Sequence, residues 1–148
     1  MSETLELTLR NDISEVARVI DAIEALGERN DVPARKIFQL NLVLDELITN
    51  IVSYAFDGQS DTRIRLSVEL KDGIVNAELV DNGKAFNPVE AVLPDLGEGI
   101  EGRRIGGLGI KFVRTYVDQL NYRRDGDFNR LCLKMNMQAA DDGQQGNG

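Results

Sequence analysis

Glu46 and Asn50 stand four residues apart in the run Leu42-Val43-Leu44-Asp45-Glu46-Leu47-Ile48-Thr49-Asn50. On a helix that spacing places both side chains over one patch of surface. A carboxylate takes up a proton or orients an attacking group. An amide oxygen holds a hard cation such as magnesium. Polar pairs at this spacing also line ordinary solvated helix faces. Here, however, Leu42, Val43, Leu44, Leu47, Ile48, Ile51 and Val52 surround the pair. A helix apolar around most of its circumference is largely buried, and buried polar groups need partners.

Two later segments supply what such a pair would serve. In Asp81-Asn82-Gly83 a carboxylate ends a strand on its apolar face, where it can accept a hydrogen bond from an exocyclic amine such as adenine offers. Such a charge-assisted bond contributes roughly 1.5–3 kcal/mol. Gly83 would let backbone approach a flat base. Asn-Gly after a strand also makes hairpin turns, but Lys84-Ala85-Phe86-Asn87-Pro88 resumes no alternating strand. In Gly106-Gly107-Leu108-Gly109, three glycines in four residues precede a helical pattern. That is more than capping requires, and it exposes backbone N–H groups to an anion at a helix N-terminus. Arg103 and Arg104 lie just upstream and add positive charge.

Composition narrows the chemistry. The chain has 148 residues, 42% apolar and 28% charged, which fits one soluble globular domain. Its net charge of −8 disfavours direct nucleic-acid binding. It has no histidine, so no histidine triad, histidine-ligated metal or phosphohistidine relay arises within it. The single cysteine, Cys132, excludes an internal disulfide framework. No run of about 18 apolar residues predicts a membrane span, and Met1–Glu6 lacks the regions of a signal peptide. The expectation is a cytoplasmic protein. Neither a Gly-x-x-x-x-Gly-Lys-Ser/Thr loop nor protein-kinase His-Arg-Asp and Asp-Phe-Gly motifs occur, so any nucleotide is held by another design.

The positioning elements read as follows. Leu5, Leu7 and Leu9 alternate within Thr4–Arg10, predicting a half-buried strand. Asp12 opens a helix with Glu15 as capping-box partner and Ile13, Val16, Ile20 and Ile23 inward. A second helix starts near Asp31, with Pro33 in its first turn, and runs to about Phe56 before Gly58. Ile64–Leu70 and Val75–Asp81 form a hairpin about Asp72-Gly73. Residues 82–105 show no period. A helix follows the glycine turn, with Ile110, Val113 and Val117 inward. Strands around Leu120–Arg123 and Leu131–Met137 flank a turn at Asp125-Gly126. The fold class is α+β: a two-layer sandwich of a mixed, mostly antiparallel sheet with helices on one face. Residues 1–137 form the domain, and 138–148 form a disordered polar tail.

Glu46–Asn50, Asp81–Pro88 and Arg104–Ile110 resemble, in order, the N, G1 and G2 boxes of the GHKL superfamily, which has the Bergerat ATP-binding fold. The nearer likeness is to anti-sigma-factor serine/threonine kinases, and it covers nearly the whole chain. The resemblance implies an ATP- and Mg²⁺-dependent kinase with Asn50 on the metal and Glu46 as general base. It places Asp81 on the adenine amine, with Gly83, Phe86, Arg104, Gly106, Gly107, Leu108 and Gly109 shaping the pocket and lid. It further implies a STAS-domain anti-anti-sigma protein as acceptor, a sequestered sigma factor, a PP2C-type phosphatase in the same cycle, and a homodimer. Tyr54 stands where many relatives carry histidine, and Cys132 where a threonine near the base is common. The alternative is an ATP-binding partner-switching regulator without phosphotransfer.

Overall fold

The computed structural model describes residues 2–88 and 112–139. Five strands and two long helices follow in the order β1 (Ser2–Leu9), α1 (Glu15–Arg29), α2 (Ala34–Tyr54), β2 (Ile64–Lys71), β3 (Ile74–Asp81), β4 (Gln119–Asp125) and β5 (Phe128–Asn136). Residues 112–116 form a further helical turn. The strands make one sheet in the order β1-β2-β3-β5-β4. All four pairings are antiparallel, so the two-layer α+β arrangement holds without a parallel pair among the described residues.

The strands alternate as their sequences demand. Ile64, Leu66, Val68 and Leu70 of β2 are buried, and the residues between them are exposed or half-buried. The same parity buries Val75, Ala77, Leu79 and Asp81 on β3, and Asn129, Leu131, Leu133 and Met135 on β5. Against this face pack Val19, Ile23 and Leu26 of α1 and Leu40, Leu44, Leu47, Ile48 and Ile51 of α2. Each such aliphatic side chain contributes roughly 1.5–3 kcal/mol by leaving water. Two polar side chains, Asp81 and Asn129, therefore lie on the apolar face at only 1% exposure each. The Asp72-Gly73 hairpin turn has positive φ at both residues, 53° and 79°, as a tight turn matching the strand twist requires.

The start of α1 departs from the sequence reading. Asp12 accepts a hydrogen bond from the Ser14 N–H, and the helix begins at Glu15 with Ser14 as its cap. Glu15 makes no capping box. Its carboxylate accepts from the Arg10 backbone N–H and pairs with the Arg10 and Arg18 guanidiniums, at 2.7 and 2.9 Å. Two guanidiniums within reach outcompete a single backbone donor. Those bonds hold its pKa down at about 2. Ile13 consequently sits ahead of the helix, half exposed, and Val19 and Leu26 complete the buried stripe. Pro33 caps α2 from outside rather than lying in its first turn.

Packing extends one residue into the expected polar tail. Gln138 donates its backbone N–H to Asn136 and lies against Gly73. Residues beyond 139 lie outside those described. No helix among the described residues is long and apolar enough to cross a membrane.

Candidate functional site

Glu46 and Asn50 project from the second half of α2, and Asp81 closes β3. The segment 81–88 joins them. At its start the Gly83 N–H donates to Asp81 Oδ1 at 2.9 Å. In the middle the Lys84 N–H donates to the Ala55 carbonyl, the residue that caps α2, at 2.9 Å. At its end Pro88 O accepts from Asn50 Nδ2 at 3.0 Å. The end of β3 is thus fastened to the C-terminal turns of α2, and the three candidate side chains share one edge of the sandwich.

Gly83 has a more specific reason to be glycine than access to a base. A Cβ there would lie 2.6 Å from the Ala55 oxygen and 2.8 Å from the Ala55 Cβ. Its missing side chain is what lets the segment seat on α2. Phe86 is buried beside it, with its ring centroid 6.1 Å from that of Tyr54 in a tilted pair. Tyr54 is half exposed and makes one wall of this edge.

Glu46 has the electrostatics of a base. One carboxylate oxygen, Oε2, is buried with no hydrogen-bond partner. Burial raises its pKa to about 7, aided by the neighbouring charge of Asp45 and opposed by the Asn50 amide. Such a group changes charge near neutral pH, which suits proton transfer. Asp81 is raised too, chiefly by burial, while Asn129, the Gly83 N–H and Arg124 oppose that shift. Its Oδ1 is saturated by the Gly83 N–H and by Asn129 Nδ2, both at 2.9 Å.

Asn129 was not singled out from the sequence, yet it ties the edge together. Its amide nitrogen donates to Asp81 Oδ1 and to the Lys84 carbonyl. Its amide oxygen accepts from the Phe86 N–H at 3.1 Å, the Tyr122 hydroxyl at 2.6 Å and Arg124 at 3.2 Å. Arg124 also donates to the Gly83 carbonyl at 2.8 Å. The available signal was parity, because Asn129 alternates with Leu131 and Leu133 and so faces inward at a strand start, as Asp81 does. The same parity corrects the reading of Cys132. It points to the other face of the sheet, toward Glu78 at 3.7 Å, and the side chain beside Asp81 belongs to Asn129.

The unpartnered Glu46 Oε2, with the buried amide of Asn50 and the buried carboxylate of Asp81 on the same edge, fits a nucleotide with its cation. Among the described residues no cluster of three or more Asp, Glu or Cys side chains forms a metal cage. A cation here would take ligands from phosphates as well as protein, as magnesium commonly does. Arg104, Gly106, Gly107, Leu108 and Gly109 lie outside the described residues.

Residues 9–135 match the family model described as histidine kinase-like ATPase domain. The chain belongs to that family. It is 31% identical over 132 residues to the serine/threonine-protein kinase BtrW of Bordetella bronchiseptica, covering 89% of this chain and 92% of that one. It is 28% identical to the serine-protein kinase RsbW of Listeria monocytogenes, covering 82% and 79%. An anti-sigma F factor of Clostridium botulinum is 27% identical, covering 78% and 80%. Membership of the histidine kinase-like ATPase family, and of this group of serine/threonine kinases and anti-sigma factors, brings ATP use with it. Among solved structures, the histidine kinase domain of the Erythrobacter litoralis blue-light activated histidine kinase shares the fold. Its TM-score is 0.53 at 20% identity, covering 84% of this chain and 60% of that one.

Proposed function

We propose that the chain is an ATP-dependent protein serine/threonine kinase of a partner-switching system, with a STAS-domain anti-anti-sigma protein as phosphoacceptor and a sigma factor as the partner it sequesters. The observation that carries this is the half-buried Glu46 carboxylate beside Asn50, one of its oxygens buried without a partner, poised to change protonation near neutral pH. A protein that only bound nucleotide would have no use for it. RsbW and BtrW, whose names record serine or serine/threonine kinase activity, support the acceptor class, as does the anti-sigma F factor.

In this reading Asp81 Oδ2 accepts the adenine amine, while Asn129 and the Gly83 N–H hold its other oxygen. Phe86 and Tyr54 exclude water from that end. The Asn50 oxygen would hold Mg²⁺, which when bound neutralises phosphate charge. Gly106, Gly107, Leu108 and Gly109 would cradle the phosphates, with Arg104 adding charge. Glu46 takes the proton from the acceptor's hydroxyl as its oxygen bonds to the γ-phosphorus. The bond from that phosphorus to the bridging oxygen breaks, and ADP leaves. Phosphoryl transfer depends mainly on positioning and charge neutralisation, with one group handling the acceptor proton. The Glu46 carboxyl supplies that one group.

A PP2C-type phosphatase that restores the acceptor, and a homodimer of this chain, complete the proposed cycle. The experiment is incubation of the protein with Mg-ATP and a STAS-domain partner. Phosphoserine or phosphothreonine on the partner supports the reading. Calorimetric ATP binding with no phosphate transferred replaces it with a nucleotide-gated binding switch.

A further inference from the structure

A second buried polar atom lacks a partner, and it lies elsewhere on the molecule. Asn41 on α2 is 7% exposed, and its Oδ1 has no hydrogen bond. It precedes Asn50 by nine residues, or two and a half helical turns, so it faces the opposite side of α2 from the candidate nucleotide edge. Asn41 lines a groove of about 250 Å³ between the end of α1 and the start of α2. Gly27 and Ile37 lie in its floor and approach closely because a Cβ on Gly27 would fall 2.6 Å from the Ile37 side chain. Phe38 stands at the rim, 61% exposed. Glu24 and Glu28, one helical turn apart on α1, line the groove with it, and no lysine or arginine does.

We propose that this groove receives an arginine side chain presented by a protein partner. An unpaired buried acceptor costs free energy in the isolated chain, so a donor brought by a ligand relieves it. Two carboxylates at one mouth call for a cation. An exposed aromatic ring beside them offers its face to a flat cation. A guanidinium answers all three at once, because it is planar, always charged and carries five N–H donors in a fixed fork. A lysine ammonium would pair with a carboxylate but would neither stack as well nor reach several acceptors together. The volume suits one side chain rather than a whole helix. The net charge of −8 adds long-range attraction for a basic segment. The groove does not rest on the nucleotide reading, and either can fail alone.

The test uses the isotope-labelled full chain, titrated with N-acetyl-arginine methylamide and followed by NMR. The lysine and citrulline counterparts serve as controls. The Asn41 side-chain amide and the Gly27 N–H should shift saturably with the arginine probe, several-fold more weakly with lysine, and not with citrulline. Glu24→Gln/Glu28→Gln and Phe38→Ala, all surface changes, should each weaken the arginine response by about tenfold, a change of about 1.4 kcal/mol. Asn41→Leu should weaken it similarly while raising the melting temperature by roughly 2–6 °C, because it removes an unpaired acceptor. Equal responses to all three probes, responses unmoved by these variants, or groove signals that move on dilution alone or with an acidic peptide instead would overturn the proposal. A lowered melting temperature in Asn41→Leu would overturn it as well, since the acceptor would then be paired within the chain.

Discussion

Asn129 and Asp81 face each other across β5 and β3 at directly opposed register positions, and the Asn129 amide donates to Asp81 Oδ1 at 2.9 Å. One oxygen of a buried carboxylate is thereby fixed. The same amide holds the backbone at Lys84 and Phe86, so a single side chain orients the Asp81 carboxylate and the loop that leaves it. Asn129→Ala strips Asp81 of its main neutral donor and leaves the Lys84 carbonyl and the Phe86 N–H unpaired. ATP affinity should fall by about tenfold, and unfolding free energy by about 1–3 kcal/mol, as measured by calorimetry and urea titration. Unchanged affinity would show that Asp81 needs no support.

Glu46 gives the chain a pH signature. Its pKa of about 7 means that it is mostly protonated at pH 6 and mostly charged at pH 8. Transfer to the partner at saturating Mg-ATP should rise with pH through about 7 and level off above it. A rate flat from acid to alkaline pH would remove Glu46 from the proton path.

The same residue weighs on stability. Between its ordinary 4.5 and its native value of about 7, the folded chain keeps a proton that the unfolded chain has lost. Stability from this group is therefore complete below pH 4.5 and is lost as pH rises through 7. Glu46→Gln removes that loss. The variant should be more stable than the wild type by about 1–2 kcal/mol at pH 8, allowing for solvent screening of a half-exposed group. It should show no gain at pH 4. Denaturant titrations at the two pH values measure the difference.

Glu15 acts in the opposite sense at the acid end. Its pKa is held at about 2 by Arg10 and Arg18, so its contribution is present above 4.5 and is lost as pH falls toward 2. Glu15→Gln should lower the melting temperature at neutral pH and leave it nearly unchanged near pH 2.

Gly83→Ala tests how the 81–88 segment seats. A Cβ 2.6 Å from the Ala55 oxygen must push the segment off α2. The expected cost is about 1–3 kcal/mol. ATP should also bind more weakly, because Asp81 and Asn50 lose their common anchor. Full stability in this variant would show that the segment relaxes freely.

Much of this architecture is written in local pattern. Alternation in Ile64–Leu70 and Val75–Asp81, with Asp72-Gly73 between them, defines the central hairpin and turns Asp81 inward. The spacing of Glu46 and Asn50 puts both on one helix face. What local pattern cannot hold is which strands become neighbours. Asn129 matters because β5 inserts between β3 and β4, an order set by long-range packing. A capping box at Glu15 fails for a different, local reason: Arg10 just before the helix and Arg18 one turn along it compete for the same carboxylate. The seating of Gly83 against Ala55, by contrast, is a tertiary contact between residues far apart in sequence.

The most direct measurement is phosphotransfer from Mg-ATP to a STAS-domain partner by the wild type and by Glu46→Gln, with ATP affinity measured on both. The account predicts phosphorylated serine or threonine with the wild type. Glu46→Gln should bind ATP with affinity within about threefold of the wild type, under about 1 kcal/mol, and transfer no measurable phosphate. Transfer by Glu46→Gln at the wild-type rate would contradict the central role assigned to this carboxylate.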